Sequence, residues 1–173
     1  MKLKKYLFKS VTSTNDIAIK KIKRGISSGI IMTNIQTRGR GRYGNKWISI
    51  KNNLFMSVFF NLRSNIGLKK LTLVSCSIVK KSLLKMVDKK IKIKKPNDIL
   101  IDKKKVCGIL QETMFYNNNK FAIIGIGINI VKSPKIINYP TSYLNLYTKK
   151  KLTSLNVCSE IKKNFENYLD KLA

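Results

Sequence analysis

The chain has 173 residues, 43% of them hydrophobic and 25% charged, which suits one domain with its own core rather than a disordered segment. Lys+Arg 36 against Asp+Glu 8 give a formal charge of +28, and there is no histidine. That excludes imidazole bases, His-based triads and His metal sites. The charge admits a nucleic-acid partner, but the lysines are scattered among abundant Ile and Asn and read better as compositional drift.

No apolar run is long enough to span a bilayer, and Met1 to Lys9 has no apolar signal-peptide core. A cytoplasmic protein without membrane contact is expected. Cys76, Cys107 and Cys158 lack paired spacing and read as buried thiols of a reducing compartment. Carboxylate chemistry must come from Asp16, Asp88, Asp98, Asp102, Glu112, Glu160, Glu166 and Asp170.

Leu3 to Phe8 is predicted as a first strand. Ser13-Thr14-Asn15-Asp16 then opens a helix, with Ser13 as cap and Asp16 returning the bond. Capping is the plain reading of these residues, yet a helix N-terminus also suits polar ligand atoms. The helix carries Ile17, Ala18 and Ile22 and stops at Gly25. Gly29 to Ile35 is a strand feeding Gln36-Thr37-Arg38-Gly39-Arg40-Gly41-Arg42-Tyr43-Gly44-Asn45-Lys46-Trp47. Glycines let backbone N–H groups approach an anion, guanidinium adds charge-assisted contacts, and the only Trp offers a face to a planar ring. A flexible basic loop that binds RNA weakly fits the same stretch about as well.

Leu54 to Phe60 is apolar on both faces and so central. Lys69 to Met86 is a helix backing the core, with Leu71, Val74, Ile78 and Leu83 at helical spacing. The alternation from Ile91 stops at Pro96, which a central ladder tolerates poorly. A short strand is predicted over Asp98 to Ile101. Asp102-Lys103 turns into Lys104 to Met114, and Asn117-Asn118-Asn119 turns into Phe121 to Ile130, an antiparallel meander. On its last strand Ile124, Ile126, Ile128 and Ile130 share one face, and Gly125, Gly127 and Asn129 the other. That bare face reads as room for a ligand rather than as a bulge or a close sheet–helix contact. An amphipathic helix from about Thr153 to Leu172 closes the chain. Strands and helices mix with antiparallel neighbours, so the fold class is α+β.

Four stations now stand in order: Ser13-Thr14-Asn15; Gln36 through Trp47; Lys94-Lys95-Pro96-Asn97-Asp98 with Lys105-Val106-Cys107-Gly108-Ile109-Leu110; and Gly125-Ile126-Gly127-Ile128-Asn129. Together they resemble the bacterial biotin–protein ligase catalytic domain, over nearly the whole chain. The resemblance implies a mixed, largely antiparallel sheet backed by helices, as in class II aminoacyl-tRNA synthetases. It implies activation of biotin by ATP, with Mg²⁺, to biotinyl-5′-AMP. Biotin then passes to one lysine of a biotin carboxyl carrier protein. By resemblance, Ser13, Thr14, Asn15 and Gln36 meet the biotin head group, and Gly39, Arg40, Gly41 and Arg42 cover biotin and the phosphates. Trp47 and Asn129 lie near the adenylate, Asn97 belongs to its surroundings, and Gly108 sits beside biotin. Lys105 lies at the carboxylate and α-phosphate. Lys105, Arg40 and Arg42 are the catalytic candidates. Asp98 is a candidate for orienting the acceptor lysine, with turn capping an equal alternative. No metal ligand is assigned, since phosphates can supply the oxygens around Mg²⁺.

The pattern departs from the family at Lys95, where Trp is usual, and at Asn45, where Arg is frequent. The expectation is a single catalytic domain over 1–173, with neither an N-terminal winged helix for DNA nor a C-terminal SH3-like domain; a homodimer is compatible with it. A lipoate or octanoyl ligase is the nearest alternative, although its Arg-Arg…Gly-Gly-Gly motif and histidine are missing. A basic RNA-binding module on the same fold and a decayed ligase homologue are the others.

Overall fold

The computed structural model describes residues 1–62 and 66–172. Seven strands, β1 (Lys5–Phe8), β2 (Ser28–Thr33), β3 (Leu54–Asn61), β4 (Ile91–Lys94), β5 (Asp98–Ile101), β6 (Lys104–Tyr116) and β7 (Asn119–Ile128), form one sheet in the order β1-β2-β3-β7-β6-β5-β4. Among the described strands, β1 and β2 run parallel and the other neighbouring pairs are antiparallel. The expected α+β class and largely antiparallel sheet are thus observed. Three helices, α1 (Thr14–Lys23), α2 (Leu68–Leu84) and α3 (Ser154–Asp170), cover the two faces. Among the described residues no helix is long and apolar enough to cross a membrane.

The faces follow from strand alternation. Met56, Val58, Ile109, Ile124, Ile126 and Ile128 point to one side and form the main core beneath α2 and α3. On the opposite side Phe59, Ile31 and Ile123 pack against Ala18 and Ile22 of α1 in a smaller core. β3 is buried from Leu54 to Phe60, as its two-faced apolar pattern requires. β4, with Lys92 and Lys94 exposed, lies at the sheet edge, where Pro96 beyond it does no harm.

Both meander turns take two residues at positive φ: Asp102 (48°) and Lys103 (62°), then Asn117 (46°) and Asn118 (58°). Two-residue loops of this hand match the right-handed strand twist, and Asn and Asp tolerate the region better than most residues. Gly25, φ +81°, ends α1 as expected. The capping expectation fails. Ser13 sits at the N-cap position without a side-chain cap bond, and Asp16 is engaged elsewhere. The Thr14 amide is met instead by Gln36 Oε1 at 2.9 Å, from the loop after β2.

A cavity on the glycine face of the sheet

α1 covers only part of its face of the sheet. Beyond its N-terminus lies a cavity of about 540 Å³, within the usual size of small-molecule sites. Its floor is β6 and β7, where Gly108 pairs with Gly127 and Leu110 with Gly125. One end is polar: Ser13, Thr14 and Asn15 are all buried at the start of α1, and Gln36 faces them. Thr14 Oγ1 donates to Gln36 Oε1 at 3.1 Å, and the Ser57 hydroxyl donates to Asn15 Oδ1 at 2.6 Å. Polar groups held this way keep fixed directions, as orienting a ligand requires.

The Gly–Arg segment forms the roof as a small hairpin. Trp47 N donates to Gly39 O at 2.9 Å, Gly41 N to Asn45 O at 2.6 Å, and Asn45 N to Arg42 O at 3.1 Å. A side chain at Gly39 would stand 2.7 Å from the Trp47 carbonyl, so that crossing requires glycine. Tyr43, at φ 55° and 88% exposed, forms the tip. A wider hollow of about 1050 Å³ lies along the same hairpin; it shares Gln36 but lacks Ser13, Thr14, Asn15 and Lys105.

Lys105 defines the other end. A β-bulge decides its direction: Ile99 pairs with Cys107 but Leu100 with Lys105, which leaves Val106 unopposed. Plain alternation would send Lys105 and Gly108 to opposite faces, whereas Lys105 Cε lies 3.3 Å from where a Gly108 side chain would begin. The ammonium meets Asp98 Oδ1 as an ion pair at 2.8 Å, without hydrogen-bond alignment. It also stands 5.6 Å from the Trp47 ring centre and 5.0 Å from that of Tyr139.

The bare face of β7 is therefore close-packed in part, contrary to the sequence reading. A Cβ at Gly125 would fall 2.6 Å from Asn15 Oδ1, and one at Gly127 would fall 2.4 Å from Trp47 Cε2. The glycines make room for an amide and an indole, and the cavity lies beside both. Trp47 Nε1 is buried against Gly127 without a hydrogen-bond partner among the described residues.

Residues 7–129 match the model of the Biotin/lipoate A/B protein ligase family. The chain belongs to this family. It is similar to the bifunctional ligase/repressor BirA of Bacillus subtilis (strain 168), 38% identical over 110 residues, 61% of this chain and 33% of that protein. It is similar to biotin–protein ligase 2 of Arabidopsis thaliana, 28% identical over 173 residues, 92% of this chain and 51% of that one. The chain thus spans about half the length, or less, of these relatives. Among solved structures it resembles the biotin protein ligase from Aquifex aeolicus in complex with biotin and ATP. The TM-score is 0.81 at 30% identity, covering 97% of this chain and 71% of that chain.

Within this chain most of the expected residues lie around one cavity. Ser13, Thr14, Asn15, Gln36, Arg40, Gly41, Arg42, Trp47, Asn97, Asp98, Lys105 and Gly108 all line the cavity. Gly39 shapes the hairpin stem behind it. Asn129 stands apart: only 2% exposed, it donates to Ser142 O at 3.1 Å and lines a small hollow behind Lys105. Asn97 spends its amide on Ile109 O at 2.8 Å. Arg40 is no loose cation. Its Nη1 donates to Asp16 Oδ1 at 2.5 Å and its Nη2 to both oxygens of Glu112 at 3.1 Å. Burial opposes its charge, but Asp16 and Glu112 outweigh that and raise its pKa further. Arg42 instead folds over Tyr43, 3.0 Å from its hydroxyl.

Glu112, Ser57 and Tyr139 went unassigned in the sequence. Glu112 was within reach, because Gly108, Leu110 and Glu112 alternate along one face of β6. Ser57 and Tyr139 carried no local signal. Of the two departures, Lys95 is exposed and lines no part of the cavity, whereas Asn45 is exposed but belongs to the hairpin roof and lines it. All three thiols are buried, and burial pushes Cys76 and Cys158 up to about 11, which disfavours the nucleophilic thiolate.

Proposed function

We propose that the chain activates biotin with ATP to biotinyl-5′-AMP and transfers biotin to a lysine of a biotin carboxyl carrier protein. The observation that carries this reading is the two-ended cavity: fixed neutral polar groups at one end, a paired cation at the other, and a Gly–Arg hairpin above. An apolar ring carrying a ureido group and a terminal carboxylate has the same polarity along its length. Ser13, Thr14, Asn15 and Gln36 would satisfy the ureido atoms. Lys105 would meet the carboxylate, and Gly108 would leave the chain room to pass.

In the first step a carboxylate oxygen attacks the α-phosphorus, and the bond to the pyrophosphate oxygen breaks. Anions are brought together and charge spreads over phosphoryl oxygens, so fixed cations and positioning suffice without a covalent enzyme intermediate. Lys105 and Arg42 are the cations for this task, while Trp47 offers its ring to the adenine. In the second step the acceptor amine attacks the acyl carbon and AMP leaves. Asp98, beside Lys105, is assigned to orient that amine. Among the described residues no group of three His, Cys, Asp or Glu side chains could hold a metal. Mg²⁺ is therefore proposed to arrive with ATP on phosphate oxygens and water.

The test is pyrophosphate–ATP exchange by the purified chain. Exchange that depends on biotin and not on lipoate supports the reading. Exchange driven by lipoate would move the assignment to the other branch of the family, and exchange with neither would end it.

A further inference from the structure

Glu112 joins two parts of the chain distant in sequence. Its Oε2 accepts from Asn15 Nδ2 at 2.7 Å, and both its oxygens accept from Arg40 Nη2 at 3.1 Å. Asn15, 2% exposed, has its oxygen held by Ser57 and one of its two amide N–H groups held by Glu112, which fixes the plane of the amide. Asp16 takes the other terminal nitrogen of Arg40 at 2.5 Å. A planar guanidinium bound through both terminal nitrogens to separate carboxylates cannot rotate without breaking one of them. An exposed ion pair alone would contribute little, and Arg40 and Glu112 are 39% and 34% exposed. Glu112 differs because the same carboxylate also fixes a buried amide at the polar end of the cavity. One positive charge between two negative ones also leaves Arg40 with no uncompensated charge for a phosphate.

We propose that Glu112 is a positioning residue that couples the polar end of the cavity to the stem of the Gly–Arg hairpin, and that Arg40 anchors the hairpin rather than meeting the anion. The kinetic consequence rests on the biotin-activating reading; the clamp itself does not. Displacing Arg40 frees the hairpin stem. Asn15, which has lost its charged acceptor, then becomes less well fixed against the ligand ring.

Two arms test this. The first needs no turnover: limited trypsin digestion of the unliganded chain, with cleavage after Arg40 followed by mass spectrometry. Glu112→Gln keeps an oxygen for Asn15 but sets an amide against Arg40. It should speed cleavage at Arg40 by roughly three- to tenfold, the worth of a partly screened charged hydrogen bond. Glu160→Gln, on α3, should not. Cleavage at the wild-type rate would overturn the clamp. Should Glu112→Gln not fold, Asp16→Asn loosens Arg40 from the other side and is read in the same way. The second arm is a double-mutant cycle of Glu112→Gln and Arg40→Met on KM for biotin and kcat in the exchange assay. Coupling requires a rise in KM for biotin, with the double variant close to the worse single one; independent, multiplying effects would overturn it. A wild-type chain without biotin-dependent exchange would remove the proposed function and leave the proteolysis arm to decide the clamp.

Discussion

Gly127→Ala puts one methyl group where the indole of Trp47 lies. Its Cβ would stand 2.4 Å from Trp47 Cε2, 2.6 Å from Cζ2 and 2.8 Å from Nε1. Carbon atoms in contact rest at about 3.5–4.0 Å, so the ring must retreat by about 1 Å or more. It cannot tilt toward β6, because Gly108 is also close to it, 2.7 Å from a Cβ to Cζ3. Its backbone is tied to Gly39 by the 2.9 Å bond. The open direction is into the cavity. Overpacking of this kind costs about 1–3 kcal/mol, which for a domain of this size lowers Tm by roughly 2–10 °C. The chain has a single Trp, so its intrinsic fluorescence reports on this ring alone. Gly127→Ala should shift the emission to the red and lower Tm, and it should raise KM for ATP more than a Gly67→Ala control, whose new methyl meets nothing. Unchanged emission and an unchanged melt would show that Trp47 does not rest on the glycine platform.

Lys105→Ala should slow adenylate formation at saturating ATP and biotin by roughly 30- to 1,000-fold, the cost of a charge-assisted contact made as charge develops. Lys103→Ala and Lys104→Ala, both exposed, should be nearly silent, and equal small losses across the three would make Lys105 an ordinary surface lysine. Arg42→Gly should loosen the hold on the adenylate, seen as biotin on bystander proteins; no more labelling than the wild type, with adenylate still made, would end that role. The hairpin from Thr37 to Lys46 should resist trypsin better with biotinyl-5′-AMP bound, and unaltered cleavage would count against its covering role. Burial opposes ionisation of Glu166, but bonds from Lys162 and the Leu3 amide outweigh it and hold the carboxyl below its usual range. A lowered folded-state pKa gives stability that is present above the unfolded value and lost as pH falls through the folded one. Acid melts should therefore drop more steeply below about pH 4.5 for the wild type than for Glu166→Gln; parallel curves would contradict it.

The sequence by itself determined the elements and the stations. Two-faced hydrophobicity placed β3 in the interior of the sheet, and period-2 runs and Asn/Asp turns set the meander, because these signals are local; the Ser-Thr-Asn, Gly–Arg, Lys-Val-Cys-Gly and Gly-Ile-Gly segments pointed to a site only through their ordered resemblance to a family. Other features depended on contacts between segments far apart in the chain. Nothing near Ser13 reveals that Gln36 meets the helix amide in its place. Nor does anything near Arg40 reveal that Asp16 and Glu112 neutralise it. Strand alternation predicts the wrong face for Lys105, and only the bulge at Val106, set by pairing with β5, turns it toward Gly108. The glycines of β7 announced a bare face. What fills it, an amide from α1 and an indole from the hairpin, was settled by tertiary packing, since a strand's own sequence records how much room it leaves but not which neighbour takes it.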